Sequence, residues 1–104
     1  MARLVWTEPA LADLDAIAEY IALDHPDAAR RLVTTVFEKV ERLKRFPRSG
    51  AVPAELRGLP CRQLVVPPCR LFYRVAGKTV YILHVLRAER LLEGDTLELR
   101  DPAD

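Results

Sequence analysis

Arginines are the candidate functional side chains that stand out in this sequence. Arg70 and Arg74 stand four residues apart in the run Cys69-Arg70-Leu71-Phe72-Tyr73-Arg74-Val75, and Arg62 lies on the apolar segment before it. Arg87 and Arg90 follow the segment Val80-Tyr81-Ile82-Leu83-His84-Val85-Leu86. A guanidinium is planar, stays protonated and presents a fork of N–H donors, so this set suits recognition of carboxylate or phosphate and makes poor bases. Arg70, a long cation amid apolar neighbours, requires a partner, either an internal carboxylate such as Glu55 or an anionic target. His84 invites an acid–base role, but a lone histidine flanked by Leu83 and Val85 is the pattern of a packed, hydrogen-bonded residue. Cys69 has no partnering base for a nucleophilic role. Trp6 and Phe72 could stack on nucleic-acid bases; Trp6 reads as core, and Phe72 as either packing or an exposed contact.

Two cysteines, Cys61 and Cys69, and two histidines, His25 and His84, are too few and too scattered for a disulfide scaffold or a zinc site. No phosphate-cradling, dinucleotide-binding or nucleophile-elbow pattern occurs, so neither a metal nor a cofactor is expected. The formal net charge of +1 conceals segregation. Residues 1–27 carry one basic and six acidic side chains, residues 28–90 fourteen basic and four acidic, and residues 91–104 one basic and five acidic. A basic middle within one small domain implies a positive surface and an anionic partner.

The elements that must position these groups follow from period. With 104 residues, half of them apolar and 30% charged, one compact domain is expected. Arg3 to Thr7 reads as a short strand, and Thr7, Glu8 and Pro9 as a helix start. Leu11, Leu14, Ile17, Ala18 and Ile21 then recur at helical spacing, leaving Asp13, Asp15 and Glu19 for the wet side. Asp24-His25-Pro26 breaks this helix and opens a second, striped by Leu32, Val33, Val36, Phe37, Val40 and Leu43. Its other side carries Arg30, Arg31, Lys39, Arg42, Lys44 and Arg45. Residues 48–60 read as loop. Segments 62–66, 70–75 and 79–86 are β-branched and aromatic and predict an antiparallel meander. Pro67-Pro68 cannot supply the positive φ of tight hairpin turns and predicts a wider loop. The tail, residues 92–104, is expected to be weakly ordered or to add a short strand. The result is an α+β sandwich with a helical hairpin on one sheet face, Leu71, Tyr73 and Val75 beneath it, and Arg70, Phe72 and Arg74 on an uncovered face.

The two strand segments quoted above resemble the central strands of the RelE/ParE toxin superfamily of type II toxin-antitoxin systems. Phe46-Pro47-Arg48-Ser49-Gly50, Pro53-Ala54-Glu55-Leu56-Arg57 and the order of elements agree with it over nearly residues 3–90. The resemblance implies a β-α-α-β-β-β fold, with a single toxin domain over residues 1–91 and an acidic tail over 92–104. It also implies a cognate antitoxin with an acidic, amphipathic C-terminal segment, a toxin-antitoxin hetero-oligomer, and no cofactor. RelE-like members cut mRNA in the ribosomal decoding site, whereas ParE-like members inhibit DNA gyrase. Cleavage by the ribose 2′-OH needs a proton acceptor, a proton donor and cationic stabilisation of the phosphate. A nuclease built here would draw on Arg62, Arg70, Arg87 and Arg90. Where the RelE pattern has strand lysines, however, this chain has Arg62-Gln63-Leu64-Val65, and no Tyr follows Tyr81. The ParE-like reading is therefore favoured, with Arg70, Arg74, Arg87 and Arg90 as target-binding residues. With no run of apolar residues long enough to span a bilayer, cytoplasmic residence is expected.

Overall fold

The computed structural model describes residues 1–102. Strand β1 (Arg3–Trp6) leads into helix α1 (Glu8–Ala22), which a turn joins to helix α2 (Pro26–Glu41). Strands β2 (Arg62–Val66), β3 (Cys69–Ala76) and β4 (Thr79–Arg87) follow, and the described chain ends with a short helix, α3 (Thr96–Arg100). The sheet order is β1-β4-β3-β2. β2, β3 and β4 form the expected antiparallel meander, and β1 joins it parallel to β4, pairing Arg3 with Thr79 through Trp6 with Ile82.

Thr7 explains how β1 turns into α1. Its hydroxyl donates to Ile82 O at 2.8 Å and accepts from Ala10 N at 3.3 Å, so one side chain both ties the strand to β4 and caps the helix. The hairpin buries Ala10 and Leu14 from α1 and Leu32, Val36 and Val40 from α2 against Leu71, Tyr73, Val80, Ile82 and Val85 of the sheet. Trp6 packs at the margin of this core, its ring centroid 5.0 Å from that of Phe37.

Two expectations are corrected at the turns and the tail. Val66 pairs with Cys69, so Pro67-Pro68 is a two-residue turn, tighter than the wider loop expected, and its peptide bond is cis. Residues 92–102 form no strand; they carry α3, whose Leu97 is buried in a second core with Leu56, Cys61, Phe72 and Leu83. The sheet face expected to be open is therefore covered. A 3₁₀ turn at Ala54–Leu56, before β2, and α3, after β4, close it.

Gly50 is required by a close approach. Its N–H donates to Tyr73 Oη at 2.8 Å, and a Cβ there would lie 2.5 Å from that oxygen and 2.7 Å from Gln63 O. Burial pushes the Tyr73 hydroxyl above its ordinary range, so it remains a neutral acceptor. Gly50→Ala is expected to destabilise the fold by about 1–3 kcal/mol through overpacking, and Tyr73→Phe by a similar ~1–3 kcal/mol through the orphaned Gly50 N–H. Urea midpoints of the two variants and their parent check this.

Candidate functional site

The five arginines singled out by sequence divide into two groups. Arg62, Arg70 and Arg74 turn inward. Arg62 Nη1 donates to Gly50 O at 2.9 Å, fastening the loop after α2. Arg70 Nη1 bonds Glu55 and, at 2.9 Å, Gln63 Oε1, while its Nη2 donates to Arg90 O at 3.1 Å and its guanidinium lies 5.0 Å over the Phe72 ring. Glu55 is thus the internal carboxylate that Arg70 required. Arg74 Nη1 donates to Asp101 Oδ2 at 2.7 Å, clamping the residue after α3. The placement of Arg70 and Arg74 on an uncovered face is corrected: α3 and the 3₁₀ turn cover that face because Phe72 and Leu83 give it an apolar bed to bury. Phe72 is fully buried, which excludes it as a stacking platform.

Arg87 and Arg90 turn outward. Arg87 ends β4 beside Tyr20 of α1 and Arg90 lies in the turn beyond it; the Arg87 guanidinium is 5.7 Å from the Tyr20 ring centroid and its Nε 2.8 Å from Glu89 Oε1. The Arg90 side chain is exposed and makes no hydrogen bond or ion pair among the described residues. These residues rim an open groove of about 640 Å³ whose walls are Ile17 and Tyr20 of α1 and Val85 and Leu86 of β4.

The groove ends at a polar junction that the sequence reading missed. A β-bulge places Leu83 as the extra residue opposite β3, since Phe72 pairs with His84 and Tyr73 with Ile82. The bulge turns His84 onto the Phe72 side, where the two rings stack with centroids 6.0 Å apart. Asp13 Oδ2 accepts from His84 Nδ1 at 2.6 Å, Arg100 Nη1 at 2.5 Å and Val85 N at 3.1 Å. Burial pushes the Asp13 carboxyl upward, but its bonds to His84, Arg100 and the Val85 N–H outweigh that and hold it below the ordinary value. Arg100 Nη1 also lies 2.6 Å from His84 Nδ1, so the ring is held between a carboxylate and a guanidinium and is engaged structurally. Expected on the wet side of α1, Asp13 instead joins α1, the bulge and α3. One signal for the junction was available: Arg100 is the sole basic residue among residues 91–104.

Both cysteines are buried, Cys61 beneath α3 and Cys69 under the helical hairpin. Burial pushes the Cys61 thiol up to about 11 and raises Cys69 as well, which leaves neither as a nucleophile near neutral pH.

A mixed sheet roofed by a helical hairpin, with arginines leaving its last strand, is the architecture of a RelE/ParE superfamily toxin. The sequence pattern described as ParE toxin of type II toxin-antitoxin system, parDE, matches residues 4–92. Toxin RelE2 of Caulobacter vibrioides is 40% identical over 92 residues, which cover 88% of this chain and 100% of that protein. A solved structure of the chromosomal ParDE TA system from P. aeruginosa contains a chain 33% identical, with a TM-score of 0.74 over 86% of this chain and 98% of that one. The chain belongs to the ParE toxin family of type II toxin-antitoxin systems. Among the described residues no helix is long and apolar enough to cross a membrane.

Proposed function

We propose that the chain is a non-enzymatic inhibitor of DNA gyrase, kept inactive by a cognate antitoxin with an acidic, amphipathic C-terminal segment. What supports the first half is the engagement of Arg62 and Arg70. The two strand arginines that a nuclease would aim at phosphate are bonded to Gly50 O and to Glu55, Gln63 and Arg90 O, so their donors are engaged within the fold. The surface left for a target is the β4 end, where Arg87 and Arg90 stand beside the exposed Tyr20. Tyrosine and arginine together are the composition of protein-binding hot spots.

Expression from a tight promoter separates the alternatives. Gyrase inhibition is expected to give filamentous cells and a DNA-damage response within one or two generations while translation continues. Immediate arrest of translation with mRNA cut at codon-specific positions would instead establish the ribosome-dependent nuclease.

A further inference from the structure

The edge of β4 that faces β1 is left uncovered beyond Ile82. Ala88 N donates to Pro68 O, which fixes the phase of the β3–β4 ladder: Leu86 and His84 bond to β3, and Val85 and Arg87 point their backbone groups the other way. β1 covers that edge only as far as Ile82, because the chain leaves the sheet at Thr7 to begin α1. Beyond it the Val85 N–H is taken by the Asp13 carboxylate at 3.1 Å, standing where the carbonyl of a neighbouring strand would stand, and the Arg87 carbonyl accepts from Arg90 N at 2.9 Å. The Val85 carbonyl and the Arg87 N–H remain without a backbone partner among the described residues, and both belong to residues lining the groove.

An acceptor on residue 85 and a donor on residue 87 are the pair that a single residue of a parallel strand engages, giving its N–H to one and its C=O to the other. We infer that the groove takes an extended segment of the cognate antitoxin, added parallel to β4 along the line that β1 leaves. The inference rests on the reading that an antitoxin neutralises this chain, and it specifies where and how. Strand addition supplies main-chain hydrogen bonds, and alternate side chains supply selectivity. Here one set would lie on Ile17 and Tyr20, and a carboxylate of the segment would meet Arg90, whose guanidinium makes no hydrogen bond or ion pair among the described residues. Asp13 and Glu89 do not oppose this charge match, since Arg100 and Arg87 already pair with them. Such a segment would cover the arginines assigned to the target, so occupancy and neutralisation are one event.

The test uses the full chain co-expressed with the product of the adjacent small gene. In the wild-type complex the Arg87 amide is expected to exchange hydrogen at least tenfold more slowly than in the free chain. Ala16→Arg, at an exposed position on the groove wall, is expected to weaken the complex at least 100-fold with an unchanged melting temperature. Val33→Arg, in the separate groove between α1 and α2, should change affinity less than threefold. Arg90→Glu repeats the groove test without adding bulk to α1 and should also weaken binding. If Val33→Arg abolishes binding while Ala16→Arg and the Arg87 amide are unaffected, the antitoxin docks on the hairpin and the strand-addition site is wrong, although the antitoxin reading stands. If no neighbouring product binds the wild-type chain, that reading falls and takes this inference with it.

Discussion

Asp13→Ala is expected to cost about 3 kcal/mol of stability, the scale for removing one partner of a largely buried ion pair and leaving the others uncompensated. Its side chain is 19% exposed, and it holds His84, Arg100 and the Val85 N–H at once. The loss should be local as well as global. Without Asp13, α3 keeps Leu97 and the Arg74–Asp101 pair as its main anchors, so Cys61 beneath it should react with thiol reagents faster. Cys69, on the hairpin side of the sheet, should stay as protected as in the wild type. The pH dependence follows from the lowered carboxyl. A depressed folded value contributes stability above the ordinary value of 3.8 and loses it as pH falls through the folded value. The gap between wild type and variant, measured by urea unfolding, should therefore be full near neutrality and shrink below about pH 4.

Arg87→Ala and Arg90→Ala should carry the largest losses of toxicity, because these guanidiniums face outward at the proposed target surface. Removing a charged contact that becomes buried in a complex costs roughly 2–5 kcal/mol, equivalent to about thirtyfold or more in affinity. Arg42→Ala and Lys44→Ala, on the last turns of the hairpin, should change growth inhibition little. Arg70→Ala belongs to a different class: it should lower the melting temperature by releasing Glu55, Gln63 and the Arg90 carbonyl, and lose toxicity for that reason. Growth inhibition read beside thermal melts separates the two classes. Detoxification by the helix substitutions, with Arg87→Ala and Arg90→Ala still toxic, would move the working surface to the hairpin.

What could be read from sequence was whatever repeats at short range. Leu14, Ile17 and Ile21 and then Leu32, Val36, Val40 and Leu43 placed both helices, and alternation along Leu71, Tyr73 and Val75 assigned one face of β3 to the hairpin core. Features that depend on distant partners were not legible. The tail gained a helix because Leu97 meets Phe72 and Leu83, and no local pattern announces that contact. The bulge at Leu83 breaks the alternation of β4, so the orientation of His84 could not be taken from parity. Its bond to Asp13 spans 71 residues. Arg70 was recognised as a cation needing a partner, with Glu55 named for it, whereas Arg74 was placed on an open face because Asp101, to which it bonds, lies in a segment read as loosely attached. Arg87 and Arg90 were placed at the end of the last strand from their position after Leu86 alone.

The proposed function has the chain act on gyrase by binding and perform no RNA chemistry. Purified wild-type chain, freed of antitoxin, should inhibit gyrase supercoiling of relaxed plasmid in proportion to its concentration. Arg90→Ala at the same concentrations should require at least tenfold more protein, and programmed ribosomes with either protein should yield uncut mRNA. Unimpaired supercoiling, together with cleavage in the ribosomal decoding site that Arg70→Ala abolishes, would contradict the account and establish an enzyme in its place.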